Sequence, residues 1–397
     1  MTTIIADKAL SEGNIGNILL PNRFIKAGCF EGMCQGGGVT DQLIEHHRRI
    51  AEGHIAMTTV AYCSVSFDGR AFEHEMWMRE EIVPDLRRIV DSVHNEGAAV
   101  SIQLGHCGYF ANKQVIQKRP LGASPKFNLF QLSYCKEMTE KEILEKVEDF
   151  GRSALLAKEA GFDAVEIHAG HGYLLSQFLS PYTNHRKDKY GGSIENRMRF
   201  PAMVIRRIRE LVGPEFPILV KMNQFEGMRR GLELSESIEF AQLFEKNGAS
   251  ALIPSCGFTS KTPLFMLRGN VPTMDMIKNQ KKWVSKLGLF LFGKLLVQQY
   301  PFERLFLIEG AEKIMNAVSI PVIYVGGVRD EHDINKLIKK GFDFIQLGRT
   351  LIHDPDFVKK LGVKTMDEPL CDACNRCVAA MDAGGVYCVS KEKGYLI

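Results

Sequence analysis

Four helix-patterned runs in this chain end in a glycine that leads straight into an apolar segment: Asn95-Glu96-Gly97, Glu159-Ala160-Gly161, Lys246-Asn247-Gly248 and Lys339-Lys340-Gly341. A glycine just past a helix accepts the left-handed backbone that terminates it, and a short apolar run after it reads as a buried strand. Eight such runs occur, at Arg23–Cys29, Ile55–Val60, Ala99–Leu104, Ala164–Ile167, Ile218–Met222, Ala251–Pro254, Pro321–Val325 and Phe344–Leu347. Amphipathic helical patterns lie between them, among them Glu140–Ala160 and Pro201–Leu211. The alternation predicts an α/β fold with a parallel sheet and helices outside it. Eight strand–helix units suit a (β/α)8 TIM barrel better than a doubly wound sheet, and no G-x-G-x-x-G follows any strand.

Two stretches depart from the repeat. Residues 263–308, between the sixth and seventh strands, are rich in Met, Phe, Leu and Lys, and a helical excursion over the barrel end is expected there. The tail from Glu368 is dense in cysteine. The expected division is a barrel over residues 1–362 and a cysteine-rich extension over 363–397. A net charge of +3 and the lack of a basic aromatic strip argue against a nucleic-acid partner. The longest apolar stretch, Leu287 to Val297, is broken by Gly288, Gly293 and Lys294 and is too short to span a bilayer, so membrane contact is not expected. The opening MTTIIADKAL has no secretory core, and the 10 cysteines read as reduced thiols or metal ligands. A cytoplasmic location is expected.

In a parallel barrel the functional groups sit where strands end. The stretch from Gly161 to Phe200 begins as a buried strand and then sets His168, His171 and Tyr173 on a glycine-rich loop. Imidazole and phenol groups so placed suit proton donation and oxyanion stabilisation. Strand one ends Gly28-Cys29-Phe30-Glu31-Gly32, strand three carries Gln103 and strand five carries Lys221. Gly326-Gly327 and Gly348-Arg349 follow strands seven and eight, where backbone amides, a helix start and a guanidinium fork can cradle a phosphate. Singly, each has a bland reading, because glycines permit turns and a lone buried histidine serves packing. Their clustering favours a site. Gln103 can donate and accept at an imide edge, and Lys221 can sit beside a carbonyl oxygen that becomes anionic on reduction. With the phosphate cradle, these define contacts for a phosphorylated planar cofactor.

The block VEIHAGHGYLLSQFLSPYTNHRKDKYGGSIENRMRF resembles the signature of the old yellow enzyme family of FMN-dependent NAD(P)H oxidoreductases. Leu20-Pro21-Asn22-Arg23, Ile102-Gln103-Leu104, Val325-Gly326-Gly327 and Leu347-Gly348-Arg349-Thr350 carry the same resemblance. It implies FMN at the carboxyl end of the barrel, NAD(P)H as reductant and an enone or enoyl-type small molecule as acceptor. Gln103 then faces the flavin pyrimidine edge, and Lys221 replaces the usual arginine beside N1 and O2. Gly326, Gly327, Gly348 and Arg349 form the phosphate clamp. His168 and His171 bind the substrate carbonyl oxygen, and Tyr173 is the proton donor. Cys29 stands near the position from which relatives tune the flavin, and Phe30 lines a wall. Ping-pong kinetics are expected, and a homo-oligomer is compatible with the resemblance.

Cys371, Cys374 and Cys377 are spaced C-x2-C-x2-C, and Cys388 follows ten intervening residues later. Four thiolates so spaced can close on one tetrahedral or cubane centre. The tail resembles the cluster region of the dienoyl-CoA reductase and trimethylamine dehydrogenase relatives, which implies [4Fe–4S]. Zn2+ and a metal-free thiol cluster are the alternatives. Dehydrogenase or demethylase chemistry also lies within the resemblance. Outside it stand a flavin-free isomerase or aldolase using Lys221 as a Schiff base, and a non-catalytic metal-binding scaffold.

Overall fold

In a computed structural model, which describes residues 8–279, 283–365 and 370–391, the eight runs form one parallel sheet curled into a barrel. The strands are β1 Phe24–Lys26, β2 Met57–Ser64, β3 Ala99–Gly105, β4 Ala164–Ala169, β5 Ile218–Asn223, β6 Ala251–Ser255, β7 Ile323–Val325 and β8 Phe344–Leu347. Their order is β6-β5-β4-β3-β2-β1-β8-β7, and a parallel bridge from Leu252 to Val322 closes the circle. Helices α1 Asp41–Glu52, α2 Val83–His94, α3 Glu140–Ala160, α4 Ile194–Val212, α5 Leu234–Lys246, α6 Ile308–Met315 and α7 Glu331–Lys340 connect successive strands, and α8 Phe357–Val363 follows β8.

The local signals act as their chemistry requires. Helix α3 starts in a capping box, where Thr139 accepts from the Glu142 amide and the Glu142 carboxylate accepts from the Thr139 amide. Gly97, Gly161, Gly248 and Gly341 all take positive φ, at 79°, 98°, 106° and 95°. Helix α4 begins at Ile194, ahead of the expected Pro201, because the Ser193 hydroxyl accepts from the Asn196 amide and caps it there. Strand β1 is shorter than its apolar run. The chain leaves the sheet before Gly28, where a Cβ would lie 2.8 Å from the Gln103 amide nitrogen. Strand β2 runs past Val60 through a bulge, so that Val60 pairs with Ile102 and Cys63 with Leu104.

The main core lies between strands and helices, with Phe24, Phe150, Phe178, Phe200, Phe240 and Phe244 fully buried in it. Each such ring stabilises the fold by about 1.5–3 kcal/mol of transfer free energy. A second cluster fills the barrel floor. There an antiparallel hairpin, Gly13–Ile15 with Ile18–Leu20, inserts Ile15 and Leu20 beneath Ile25, Met57, Leu219 and Ile253. The hairpin was not foreseen, although its two-residue Gly16-Asn17 turn with Gly16 at φ 58° is a recognisable signal.

Residues 263–308 hold two helices, Thr273–Asn279 and Trp283–Leu296, and a bridge between Gly269 and Tyr300 closes the excursion at its base. Its described partners include the cysteine-rich tail. The Asn270 amide donates to the Ala373 carbonyl at 3.1 Å, Asn279 donates to the Ala379 carbonyl at 2.7 Å, and Arg376 pairs with Asp275 at 3.1 Å. The tail also reaches the loop after β1, because the Val386 amide donates to the Glu31 carbonyl at 2.8 Å. Residue 1, the tail start at Glu368 and the end of the chain lie outside the described residues. Among the described residues no helix is long and apolar enough to cross a membrane.

Candidate active site

Register brings the sequence candidates together. Glu166 on β4 lies opposite Gln103 on β3, and His168, two residues on, lies opposite Lys221 on β5. Alternation along a strand turns residues 166 and 168 to the same face, here the barrel interior. The Glu166 carboxylate is fully buried and joins three strands. Gln103 donates to it at 2.5 Å, the Lys221 ammonium lies 2.7 Å from it, and Gln346 on β8 donates to its other oxygen at 2.9 Å. Neither Glu166 nor Gln346 was singled out from sequence. An acid inside the apolar run AVEIHA was the available signal, since a carboxylate is buried in a strand only when it is paired.

Above this layer sit the imidazoles and the phenol. The His168 ring packs edge-on against His171 at 4.9 Å and against Tyr173 at 4.7 Å between centroids. His171 adopts φ 58°, and its amide donates to the Asn223 side chain at 3.0 Å while its Nε2 lies 2.7 Å from the Ser255 hydroxyl. Burial, and then the charge of Lys221, lower its pKa to about 3. For His168 burial acts first, then His171 and Lys221, in the same direction. Both rings are therefore neutral near pH 7, each with one N–H to donate and one nitrogen that accepts. His168 Nδ1 is buried without a hydrogen-bond partner. Tyr173 starts the short helix Leu174–Leu179, and its hydroxyl lies 3.4 Å from that of Tyr62. Burial raises the pKa of Tyr173, so the phenol keeps its proton.

A second buried charge set lies beside β1 and was also missed. The Lys26 ammonium contacts Glu31 and donates to the Thr59 carbonyl at 3.0 Å, and His47 Nε2 lies 3.2 Å from the same carboxylate. The other Glu31 oxygen accepts from the Ala61 amide. Burial alone would raise the Glu31 pKa, but Lys26 and His47 outweigh it and hold it at about 2.

The glycine pairs behave differently from one another. Gly326 and Gly327 have φ of 119° and 70°, and a Cβ on Gly327 would meet the Glu303 carbonyl oxygen at 2.6 Å. Their shape is thus moulded by the returning end of the excursion. Gly348 precedes the helix Arg349–His353, close to the Cys29 thiol. Burial raises the pKa of that thiol, which stays protonated. Arg349 Nη1 donates to the Arg268 carbonyl at 2.9 Å and to Asn375 at 2.5 Å, so this side chain joins the barrel to the excursion and the tail. Cys371, Cys374, Cys377 and Cys388 are half-buried free thiols, and His353 Nδ1 lies 3.4 Å from the Cys388 sulfur. Among the described residues, no three of these thiols lie within 4.8 Å of one another.

Buried ring nitrogens, a protonated phenol and a charge set that would face an imide edge, all at the carboxyl ends of a parallel barrel, describe a flavin-type oxidoreductase barrel. Residues 14–257 match the family model described as NADH:flavin oxidoreductase / NADH oxidase, and the chain belongs to this family, the old yellow enzyme family. It is 36% identical to 4,4'-dithiodibutanoate disulfide reductase of Rhodococcus erythropolis over 99% of this chain and 97% of that protein. It is also 31% identical to an NADH oxidase of Thermoanaerobacter brockii over 92% of its own length, but spans only 52% of that protein. Among solved structures, 2-naphthoyl-CoA reductase superposes with a TM-score of 0.83 at 23% identity, covering 96% of this chain and 56% of that one. Morphinone reductase superposes with a TM-score of 0.71 at 22% identity, over 91% and 92% of the two chains. At those identities the likeness shows the fold alone. Family membership makes the chain an FMN-dependent NAD(P)H oxidoreductase.

Proposed function

We propose that this protein reduces a carbon–carbon double bond conjugated to a carbonyl, as in an enone or an enoyl thioester. The observation that carries the reading is the buried, unpartnered Nδ1 of His168 beside His171 and Tyr173. The site's residues fit a flavin, because Gln346 Oε1 is likewise buried without a partner beside the Gln103–Glu166–Lys221 set. When bound, FMN supplies the acceptor and donor of hydride between NAD(P)H and the substrate. Gln103 and Lys221 would hold its polar ring edge, and Gly326, Gly327, Gly348 and Arg349 its phosphate. His168 and His171 hold the substrate carbonyl oxygen and stabilise the charge that develops on it. Tyr173 keeps a proton ready for the α-carbon. The aldolase reading loses support because the Lys221 side chain is already engaged by the buried Glu166 carboxylate, 2.7 Å away.

The experiment is anaerobic turnover of NADH or NADPH with 2-cyclohexen-1-one and with a crotonyl thioester, following nicotinamide oxidation and the saturated product. Stoichiometric product, lost in Tyr173→Phe, is expected. Nicotinamide oxidation without saturated product would overturn the reading. Parallel double-reciprocal plots are expected from ping-pong turnover.

A second reading rests on the full-length similarity to the Rhodococcus disulfide reductase, namely reduction of a small organic disulfide. The same panel with 4,4'-dithiodibutanoate separates the two. For the tail, we favour a [4Fe–4S] centre held by Cys371, Cys374, Cys377 and Cys388. The C-x2-C-x2-C spacing followed by Cys388 supports this centre, and one Zn2+ is the alternative. The bound cluster would supply one-electron transfer. We place the protein in the cytoplasm, with a small-molecule substrate and without nucleic-acid or membrane partners.

A further inference from the structure

The bulge in β2 turns Tyr62 toward the site, and behind Tyr62 runs a line of protonatable groups that the reaction as described leaves unused. The Tyr62 hydroxyl lies 3.4 Å from that of Tyr173 and 3.8 Å from the Cys107 sulfur. The Cys107 thiol donates to the Glu75 carboxylate at 3.8 Å, within reach of a sulfur hydrogen bond. Glu75 is completely buried, and its other oxygen accepts from the amides of Ala71 at 2.6 Å and Phe72 at 3.3 Å. Four residues from three separate strand ends thus make one chain of contacts that terminates on the proton donor. Phe72 and His74, both just before Glu75 in sequence, are half-exposed, which puts the far end of the chain close to solvent.

We propose that Glu75, Cys107 and Tyr62 form a proton relay that recharges Tyr173 after each turnover. The inference rests on the reading of Tyr173 as proton donor. As the α-carbon gains its C–H bond, the Tyr173 O–H breaks. The Tyr173 phenolate takes the proton of Tyr62, Tyr62 takes that of Cys107, and Cys107 takes that of the Glu75 carboxyl. The carboxylate left behind is reprotonated from water. Direction matters as well as supply. With Glu75 protonated, each hydrogen of the chain can point toward Tyr173, leaving the Tyr173 O–H free for substrate. With Glu75 ionised, each points toward the carboxylate instead.

The electrostatics agree with this geometry. Burial raises the Glu75 pKa to about 8, against the opposing pull of the Ala71 and Phe72 amides and of Arg70. Burial also keeps the Cys107 thiol and both phenols protonated. The groups that feel the Glu75 charge are Arg70, Cys34, Cys63, Cys107, Tyr62 and Tyr173. Arg70 is the cation among these groups, and its charge opposes the effect of burial. Such a group titrates close to working pH, as a proton source should.

The test uses the full-length holoenzyme with 2-cyclohexen-1-one. Glu75→Gln and Cys107→Ala should each slow alkene reduction at pH 7 at least tenfold and flatten an alkaline limb centred near pH 8. Cys107→Ser, whose hydroxyl can both accept and donate, should keep the rate within threefold and retain the limb. Tyr62→Phe removes a single oxygen, so it guards against misfolding of the Glu75 variant and should match Cys107→Ala. Infrared difference spectra of the protein without substrate should show a protonated-carboxyl band that titrates near pH 8 and is absent from Glu75→Gln. An inactive Tyr173→Phe together with a Cys107→Ala and a Tyr62→Phe that keep wild-type rate and limb would overturn the relay alone. A Tyr173→Phe of wild-type activity would instead overturn the reading on which it rests.

Discussion

Lys221 and Glu166 form a buried ion pair, 2.7 Å apart, on neighbouring strands of the barrel interior. The same carboxylate also receives Gln103 and Gln346, so four strands depend on one acid. A residue positioned to touch a cofactor is thereby also a structural requirement.

Glu166→Gln should destabilise the protein without its cofactor by about 3 kcal/mol, because it leaves an ammonium buried without its counter-charge. Denaturant unfolding measures this. A loss below about 0.5 kcal/mol would mean that the pair adds nothing beyond its own desolvation cost.

Tyr173→Phe should lower the rate of saturated-product formation by about 10²–10⁴-fold, the usual contribution of a positioned general acid. Flavin reduction by NAD(P)H should stay within threefold of wild type, because that half-reaction does not call on the phenol. Stopped-flow absorbance separates the two steps.

Acid should weaken the fold in two stages. His168 is held neutral, its pKa depressed from 6.5, so the unfolded chain binds its proton more readily and stability falls as pH drops below about 6.5. Glu31 has a folded pKa of about 2 against 4.5, so its contribution is present above about 4.5 and lost as pH falls toward 2. Thermal melts across pH 2 to 7 record both stages, and Glu31→Gln should flatten the lower one.

Cys374→Ser should remove iron and acid-labile sulfide together while the flavin stays bound, since the tail lies outside the strand ends that would hold the ring. Metal analysis under nitrogen checks this. Stoichiometric zinc in the wild-type protein would refute the cluster assignment.

Much of the fold could be read from the chain because each barrel strand is a compact apolar run and the glycines after helices mark where strands begin. His168, His171 and Tyr173 were legible for a related reason: six consecutive residues carry all three, so one strand end brings them together. Glu166 lay in plain view within a predicted strand, but its value depends on Gln103, Lys221 and Gln346 arriving from other strands. Tyr62 depends on a bulge that no propensity marks. The packing of the excursion against the tail, through Asp275 and Arg376 among others, joins segments about a hundred residues apart and has no local signature.

The central claim concerns where hydrogen is placed. Anaerobic reduction of 2-cyclohexen-1-one in D2O with unlabelled NAD(P)H should give product bearing deuterium at the α-carbon, delivered from the exchanged Tyr173 hydroxyl, and hydride-derived hydrogen at the β-carbon. Tyr173→Phe should suppress that product. No saturated ketone from the wild-type enzyme, alongside rapid consumption of 4,4'-dithiodibutanoate, would contradict the account.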